Sequence, residues 1–269
     1  MKTMSHGAKQ ELPELLELPE GCKATIISFT SPQDACRLSS VSRNFKSAAE
    51  SDTVWGKFLP PETYTILSQS SAPELAARSK KEIYFTLCDN PVLIHQGRMS
   101  FSLDKRNGKK CFMISARNLW IIWGETPQYW VWISHRESRF DEVAELLNVC
   151  WLHIGGKIDT RLLSPSTLYK AYLVFRFTAE AHGFAHLTVE VTVGLVGTEA
   201  TRKTVFLHSQ ELMDGDQYPK QRSDRWWEIE LGEVFCEEGE DRELEMTFLA
   251  SEGTQWKRGL IVQGIEIRP

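Results

Sequence analysis

The hydrophobic and polar positions change texture twice along the chain. Residues 1–13 show no period and few bulky apolar groups, too little to offset the entropy of ordering them, and a mobile tail is predicted there. From Leu18 to Pro60 the pattern is that of short helices. Leu18-Pro19 opens one, Pro32 with Asp34 opens another, and Ser51-Asp52 offers an N-cap ahead of residues 53–58. Ile26, Ile27, Phe29, Leu38, Val41, Phe45, Trp55 and Phe58 crowd this stretch, more apolar surface than so small a unit buries by itself. Residues 61–105 are punctuated by Pro60-Pro61, by serines from Ser68 to Ser71 and by Pro73. They read as a connector with one helix from about Pro73 to Leu87.

Beyond Cys111 the period becomes two. Leu187, Val189, Val191 and Val193 alternate with polar neighbours, as do the apolar positions of 227–231 and 244–248, so one face of each strand is buried. Further strands are predicted at 119–123, 129–133, 149–154, 171–177, 205–208 and 260–267, with turns at Gly155-Gly156, Asp214-Gly215-Asp216 and Gly239. One helical turn is predicted within Asp141–Leu147. Many short strands with little helix between them predict an antiparallel sandwich of jelly-roll type over residues 106–269. The fold class is therefore α+β in separate parts: a small helical unit over 14–60, the connector, and an all-β domain.

Charge and chemistry narrow the function. A formal net charge of -5 supplies no global positive field to collect nucleic acid or anionic lipid. The scattered cysteines, Cys22, Cys36, Cys88, Cys111, Cys150 and Cys236, read as reduced core thiols. No stretch approaches the roughly 20 apolar residues of a membrane helix, and a soluble intracellular protein is expected. The chain carries no phosphate-binding glycine loop, no nucleophile elbow and no zinc-binding His-Glu-x-x-His; catalytic residues, cofactors and metals are not expected. His182 and His186 share ligand-like spacing but sit in β texture beside Gly183. The acidic run from Glu237 to Glu243 reads as a solvated hairpin tip. Lys105, Arg106, Lys109 and Lys110 read as a solvated turn around Asn107-Gly108.

The segment LPEGCKATIISFTSPQDACRLSSVSRNFKSAAESDTVWGKFLP, residues 18 to 60, resembles the F-box. The resemblance rests on Leu18-Pro19, Ile26-Ile27, the Ser-Pro-x-Asp turn at 31 to 34, Val41-Ser42-Arg43 with Phe45, and Ser51-Asp52 leading to Trp55 and Phe58. It implies a three-helix unit docked on the Skp-type adaptor of a cullin-RING ubiquitin ligase, with Leu18, Pro19, Ile26, Ile27, Leu38, Val41, Trp55 and Phe58 at or under the adaptor-binding face.

Residues 111 to 269 resemble the plant phloem-lectin family, of which the tobacco lectin Nictaba is a member. The matching blocks are CFMISARNLWIIWGETPQYWVWIS at 111 to 134, FDEVAELLNVCWLHIGGKI at 140 to 158, YKAYLVFRF at 169 to 177, RSDRWWEIELGEVF at 222 to 235 and WKRGLIVQGIEIRP at 256 to 269. The resemblance implies carbohydrate binding through a tryptophan pair, Trp123 and Trp130, which would bracket the turn Gly124–Gln128. An indole plate suits the C–H face of a sugar, while packing in the core is the competing reading of both residues. Glu125 beside the pair is one carboxylate where glycoside hydrolysis needs two. The lysine run that Nictaba carries for nuclear import has no counterpart in HSQELMDGD at 208 to 216.

Together the resemblances imply the substrate-recognition subunit of a Skp–cullin–F-box ligase, located in cytoplasm, nucleus or both. The C-terminal domain would bind a target protein, glycosylated or not, or a GlcNAc-oligomer or mannose-rich glycan. A target read by its protein surface is the simpler expectation where complex glycans are scarce. The alternative is an intracellular lectin of stress or defence with a non-functional F-box.

Overall fold

The computed structural model describes residues 17–185, 187–207, 215–250 and 255–269. The tail expected over residues 1–13, His186 and His208–Asp214 lie outside them. The helices start where the sequence supplies partners for their free N–H groups. Pro19 precedes α1 (Glu20–Ile27), and its carbonyl accepts from Lys23 N at 3.1 Å. Ser31 Oγ accepts from Asp34 N at 3.1 Å to cap α2 (Pro32–Ser39), with proline at the first helical position. Ser42 Oγ does the same for α3 (Arg43–Glu50) through Phe45 N at 3.2 Å. Ser51 occupies the cap position of α4 (Asp52–Phe58), but its buried hydroxyl makes no capping bond.

The connector is more broken than its periodicity predicts. Beyond α5 (Thr63–Ser68), the single helix expected from Pro73 to Leu87 is a 3-10 turn, Pro73–Ala77, followed by α6 (Lys80–Asp89). Ser79 causes the break by starting a new helix: Ser79 Oγ accepts from Glu82 N at 3.3 Å while Glu82 Oε2 accepts from Ser79 N at 3.1 Å, a capping box. Nor is the connector a free spacer. The buried Trp55 ring of α4 lies 5.1 Å from both Tyr84 and Phe85 of α6, and Tyr84 Oη donates to Asp104 O at 3.1 Å.

Fourteen strands follow among the described residues: β1 (Val92–Ile94), β2 (Met99–Leu103), β3 (Lys110–Ser115), β4 (Trp120–Ile121), β5 (Trp130–Ile133), β6 (Val143–Leu146), β7 (Leu152–Asp159), β8 (Thr167–His182), β9 (Thr188–Leu195), β10 (Thr201–Phe206), β11 (Lys220–Gln221), β12 (Trp227–Cys236), β13 (Glu243–Ala250) and β14 (Arg258–Arg268). The larger sheet runs β1-β2-β3-β14-β8-β12-β11, with β6 also on β14 and β5 on β6; the smaller runs β10-β9-β13-β7-β4. Every pairing is antiparallel. The helices and the antiparallel sheets give the α+β class that the pattern predicts. Alternation in β9 and β13 buries Val189, Val191 and Val193 against Leu244, Met246 and Phe248. In β12 a bulge at Gly232 brings the sheets together, since a Cβ there would lie 3.1 Å from Val193 Cβ. Ile27, Trp55, Tyr84, Phe101, Phe112 and Phe248 belong to one continuous core, so the helical unit shares its interior with the sheets.

Five local expectations give way, in whole or in part. β1 and β2 join the large sheet ahead of residue 106, so the β domain begins inside the expected connector. The helical turn expected in Asp141–Leu147 is β6, because Val143, Ala144 and Leu146 are buried between β5 and β14. The acidic run Glu237–Glu243 is no hairpin tip: it crosses from β12 in one sheet to β13 in the other, and it is solvated. Of the basic turn, Lys110 is buried and its Nζ pairs with Glu62 Oε1 at 2.5 Å. Cys111 and Cys236 are core thiols, whereas Cys22 and Cys36 are exposed.

Candidate functional site

The residues expected on the adaptor-binding face divide into surface and core. Pro19 is exposed and Leu18 half-buried, and Ile26 and Val41 keep 43% and 63% of their surface. Leu38 and Phe58 are half-buried, packed on the core. Ile27 and Trp55 are fully buried and cannot touch a partner directly: Ile27 belongs to the core beneath α1, a helix packed on α3 and α4, and Trp55 Nε1 donates to Ala49 O at 2.7 Å. Phe29, absent from the expected set, is the most exposed of the large apolar residues among those described, at 81%. It follows the Ser28 cap of α1, with its N–H on Ile26 O at 3.2 Å, ahead of the Ser31 cap of α2. That position, an aromatic between a helix end and a Ser-Pro cap, is the signal in the sequence that could have found it.

At the loop end of the sandwich the two expected tryptophans part company. Trp123 stands third in the turn closed by Gly124 N to Ile121 O at 2.9 Å, and its φ is +58. The left-handed region is costly for a bulky residue and marks a conformation that its surroundings over-determine. Its indole is 42% exposed and lies 5.3 Å from the Tyr129 ring. Trp130 opens β5 pointing inward, is 2% exposed, and donates Nε1 to Ile122 O at 3.2 Å. A two-plate platform is therefore not formed; Trp123 alone presents a face.

Beside this turn a polar cleft of about 460 Å3 opens between the β1–β2 turn, the end of β3 and the segment before β6. Arg117 organises it. Its guanidinium lies over the Trp132 ring at 3.8 Å, its Nε donates to Glu142 Oε2 at 2.8 Å, and Glu125 Oε1 stands 3.6 Å away. The hydrogen bond from Arg117 holds the Glu142 carboxyl below its ordinary value.

With both surfaces described, family comparison decides the class. The phloem protein 2 profile matches residues 109–269, and the F-box profile matches residues 15–57. This chain is an F-box protein of the phloem protein 2 family. An F-box protein of Arabidopsis thaliana is 50% identical to it, over 94% of this chain and 79% of that one. The F-box protein PP2-B10 of the same plant is 46% identical, over 97% of this chain and 96% of that one. Among solved structures, a carbohydrate-binding module studied for specific mannan recognition aligns at a TM-score of 0.33 and 8% identity, over 64% of this chain and 99% of that one. A superposition that loose carries no argument about a ligand.

This F-box phloem protein also holds a buried charge network on the large sheet. Glu266 of β14 is ion-paired with Arg139 at 2.8 Å and accepts from Arg222 at 2.6 Å and Arg268 at 2.7 Å. Burial alone would raise its carboxyl, but the three guanidinium groups outweigh burial and hold it at about 2. Glu228 pairs with Arg222 and Arg268 in turn and Asp224 with Arg222, so three carboxylates offset three guanidinium groups and the cluster reads as structural. Among the described residues no three His, Cys, Asp or Glu side chains converge as metal ligands, and no helix is long and apolar enough to cross a membrane.

Proposed function

We propose that this protein is the target-selecting subunit of a Skp–cullin–F-box ubiquitin ligase and performs no chemistry of its own. The helical unit seats the Skp-type adaptor through Pro19, Ile26, Phe29 and Val41. The sandwich takes the target, protein or glycan, at the loop end around Trp123. The observation that carries this reading is the exposed apolar set of Ile26, Phe29 and Val41 on an F-box that already shares its core with the β domain. Because that shared core satisfies the small unit's need for burial, apolar side chains left outside it are available to a partner. Ubiquitin transfer then belongs to other subunits, in the cytosol or nucleus.

Purification of the intact chain with a Skp-type adaptor tests this. The wild type is expected to hold the adaptor, and Phe29→Asp with Val41→Asp to lose it while melting as the wild type does. Retention by the folded double variant would sink the assignment. A lectin acting without the ligase is the rival reading, favoured by the exposed and strained Trp123. Glycan retention without any adaptor binding would select it.

A further inference from the structure

We infer that a second cleft, on the face of the large sheet turned away from the shared core, docks an acidic segment of a partner protein, with Arg136 and Arg225 taking its carboxylates. The cleft lies apart from the loop end of the sandwich, and the inference stands whether or not that end takes the target.

The first reason is a pattern that the fold brings together. RESR at 136 to 139 and RSDR at 222 to 225 each set two arginines around a serine and one acid, so four cations stand with two carboxylates in a chain of formal net charge -5. Trp226 Nε1 donates to Glu137 O at 2.8 Å and Arg225 Nη1 to Glu137 Oε1 at 3.1 Å, while the buried Glu266 is paired with both Arg139 and Arg222. The two runs are thereby locked to each other. Across from them stand the end of α6 and the β2–β3 hairpin, and a cleft of about 600 Å3 opens between. Its floor is the outer face of the sheet, because Ile265 and Ile267 belong to the core and Glu266 between them lines the cleft.

The second reason is which charges are left over. Each carboxylate on the walls already holds donors. Asp89 has Lys105 at 2.9 Å, Asp104 Oδ1 accepts from the N–H groups of Arg106 and Asn107, and Glu137 has Arg176 and Arg225. Asp224 has Arg222 at 3.2 Å, and Glu266 has its three arginines. Arg136 lines the same cleft, is exposed, and has no partner among the described residues. The uncommitted charge is therefore positive. Arg225, with one bond to Glu137 and 76% of its side chain exposed, adds spare donors at the mouth. Its φ is +68, a costly region for a long side chain, and the turn is kept by Arg225 N on Arg222 O at 3.2 Å and Arg222 N on Trp226 O at 2.8 Å. A turn fixed in this way presents its guanidinium with little ordering left for binding to impose.

The third reason selects the ligand class. A carboxylate matches the fork of a single guanidinium, whereas a phosphate dianion would stand near Glu137 and Glu266 with one wholly uncommitted arginine to offset it. Nucleic acid needs a broad basic field, and a chain of net charge -5 has none. The Ser102 and Ser223 hydroxyls line the cleft, also without partners among the described residues, and can bond the amides of a peptide. An extended acidic segment uses both sets of groups.

The test follows binding of a short labelled glutamate-rich peptide to the full chain by fluorescence anisotropy, beside its glutamine counterpart and with inorganic phosphate as competitor. The glutamate peptide should bind and the glutamine peptide should not, and affinity should fall as salt rises. Arg136→Gln should weaken binding about tenfold, the loss of one charge-assisted contact, and should melt as the wild type does because it has no partner to lose. Arg225→Gln should weaken it by less, since Glu137 shares that guanidinium. Arg202→Gln on β10 removes the same charge from the other sheet and should change nothing. An equal loss in Arg202→Gln would reduce the effect to net charge and sink the inference. So would wild-type affinity in Arg136→Gln, equal binding of the glutamine peptide, or no binding of the glutamate peptide at low salt. Displacement of the peptide by inorganic phosphate at concentrations near the peptide's own Kd would overturn it in favour of a phosphate site.

Discussion

Trp55 and Phe29 lie in the same F-box and should fail in opposite ways when truncated. Trp55 is 1% exposed, packs edge-on against Phe58 at 5.6 Å and tilted against Tyr84 and Phe85 at 5.1 Å, and donates to Ala49 O. A buried tryptophan cut to alanine costs about 3–5 kcal/mol, and the orphaned Ala49 carbonyl keeps the loss at the upper end of that range. Against a domain stability of about 5–15 kcal/mol, such a loss unlatches α4 from α6 in a measurable fraction of molecules. Phe29, at 81% exposure, has little burial to lose, so Phe29→Ser should change stability by less than about 0.5 kcal/mol. If it is a central anchor of the adaptor interface, the same change costs about 2 kcal/mol of binding, roughly 30-fold in Kd.

Urea unfolding and adaptor titration on both variants separate the two effects. Trp55→Ala should shift the unfolding midpoint strongly and lose affinity only through the unfolded fraction, whereas Phe29→Ser should keep the midpoint and lose affinity directly. A Trp55→Ala protein that melts as wild type but no longer binds would put the indole at the interface and refute the division of surface from core drawn here.

Three further outcomes follow from the interior. Glu266→Gln should cost about 3–5 kcal/mol near neutral pH, because it strips a buried partner from Arg139, Arg222 and Arg268. The Glu266 carboxyl is held at about 2 against an ordinary 4.5, so its contribution is complete above 4.5 and fades as pH falls toward 2. Urea melts of the two proteins should therefore converge over that window, and a pH-independent gap would contradict the account. In the native state a thiol reagent should label Cys22 and Cys36 first and leave Cys111 and Cys236 until unfolding, since burial pushes Cys236 up to about 11 and raises Cys111 further; a reductant should leave the melting temperature unchanged. Gly264→Ala should destabilise by about 3 kcal/mol or more, read by the same melts, because its Cβ would meet Ile114 O of β3 at 2.0 Å and Ile114 C at 3.0 Å, backbone atoms of a paired strand.

What the sequence discloses and what it hides follows from the range of each interaction. The proline starts at 19 and 32 and the alternation of β9 and β13 are local, and they stand in the structure where the residues predict them; Ser51 holds the expected cap position of α4, though its hydroxyl makes no capping bond. Partner choice is not local. Alternation says that β12 and β13 each bury a face, but not that the acidic link between them changes sheets, and Asp141-Glu142 imitates a helix start ahead of a strand held in place by β5 and β14. Phase decides the rest. Trp123 and Trp130 share a residue type and a texture, yet one stands on a left-handed turn facing water while the other opens a strand with its ring inward against Leu146. The same holds for Ile26 and Ile27, adjacent on one helix and on opposite sides of its wall. One local rule is broken in the open: Trp123 stands in a left-handed turn where glycine or asparagine is expected, with its indole facing water. Natural chains are consistent across levels except where something other than folding sets the residue, so a strained, exposed tryptophan at the loop end is the position whose residue type the fold does not explain.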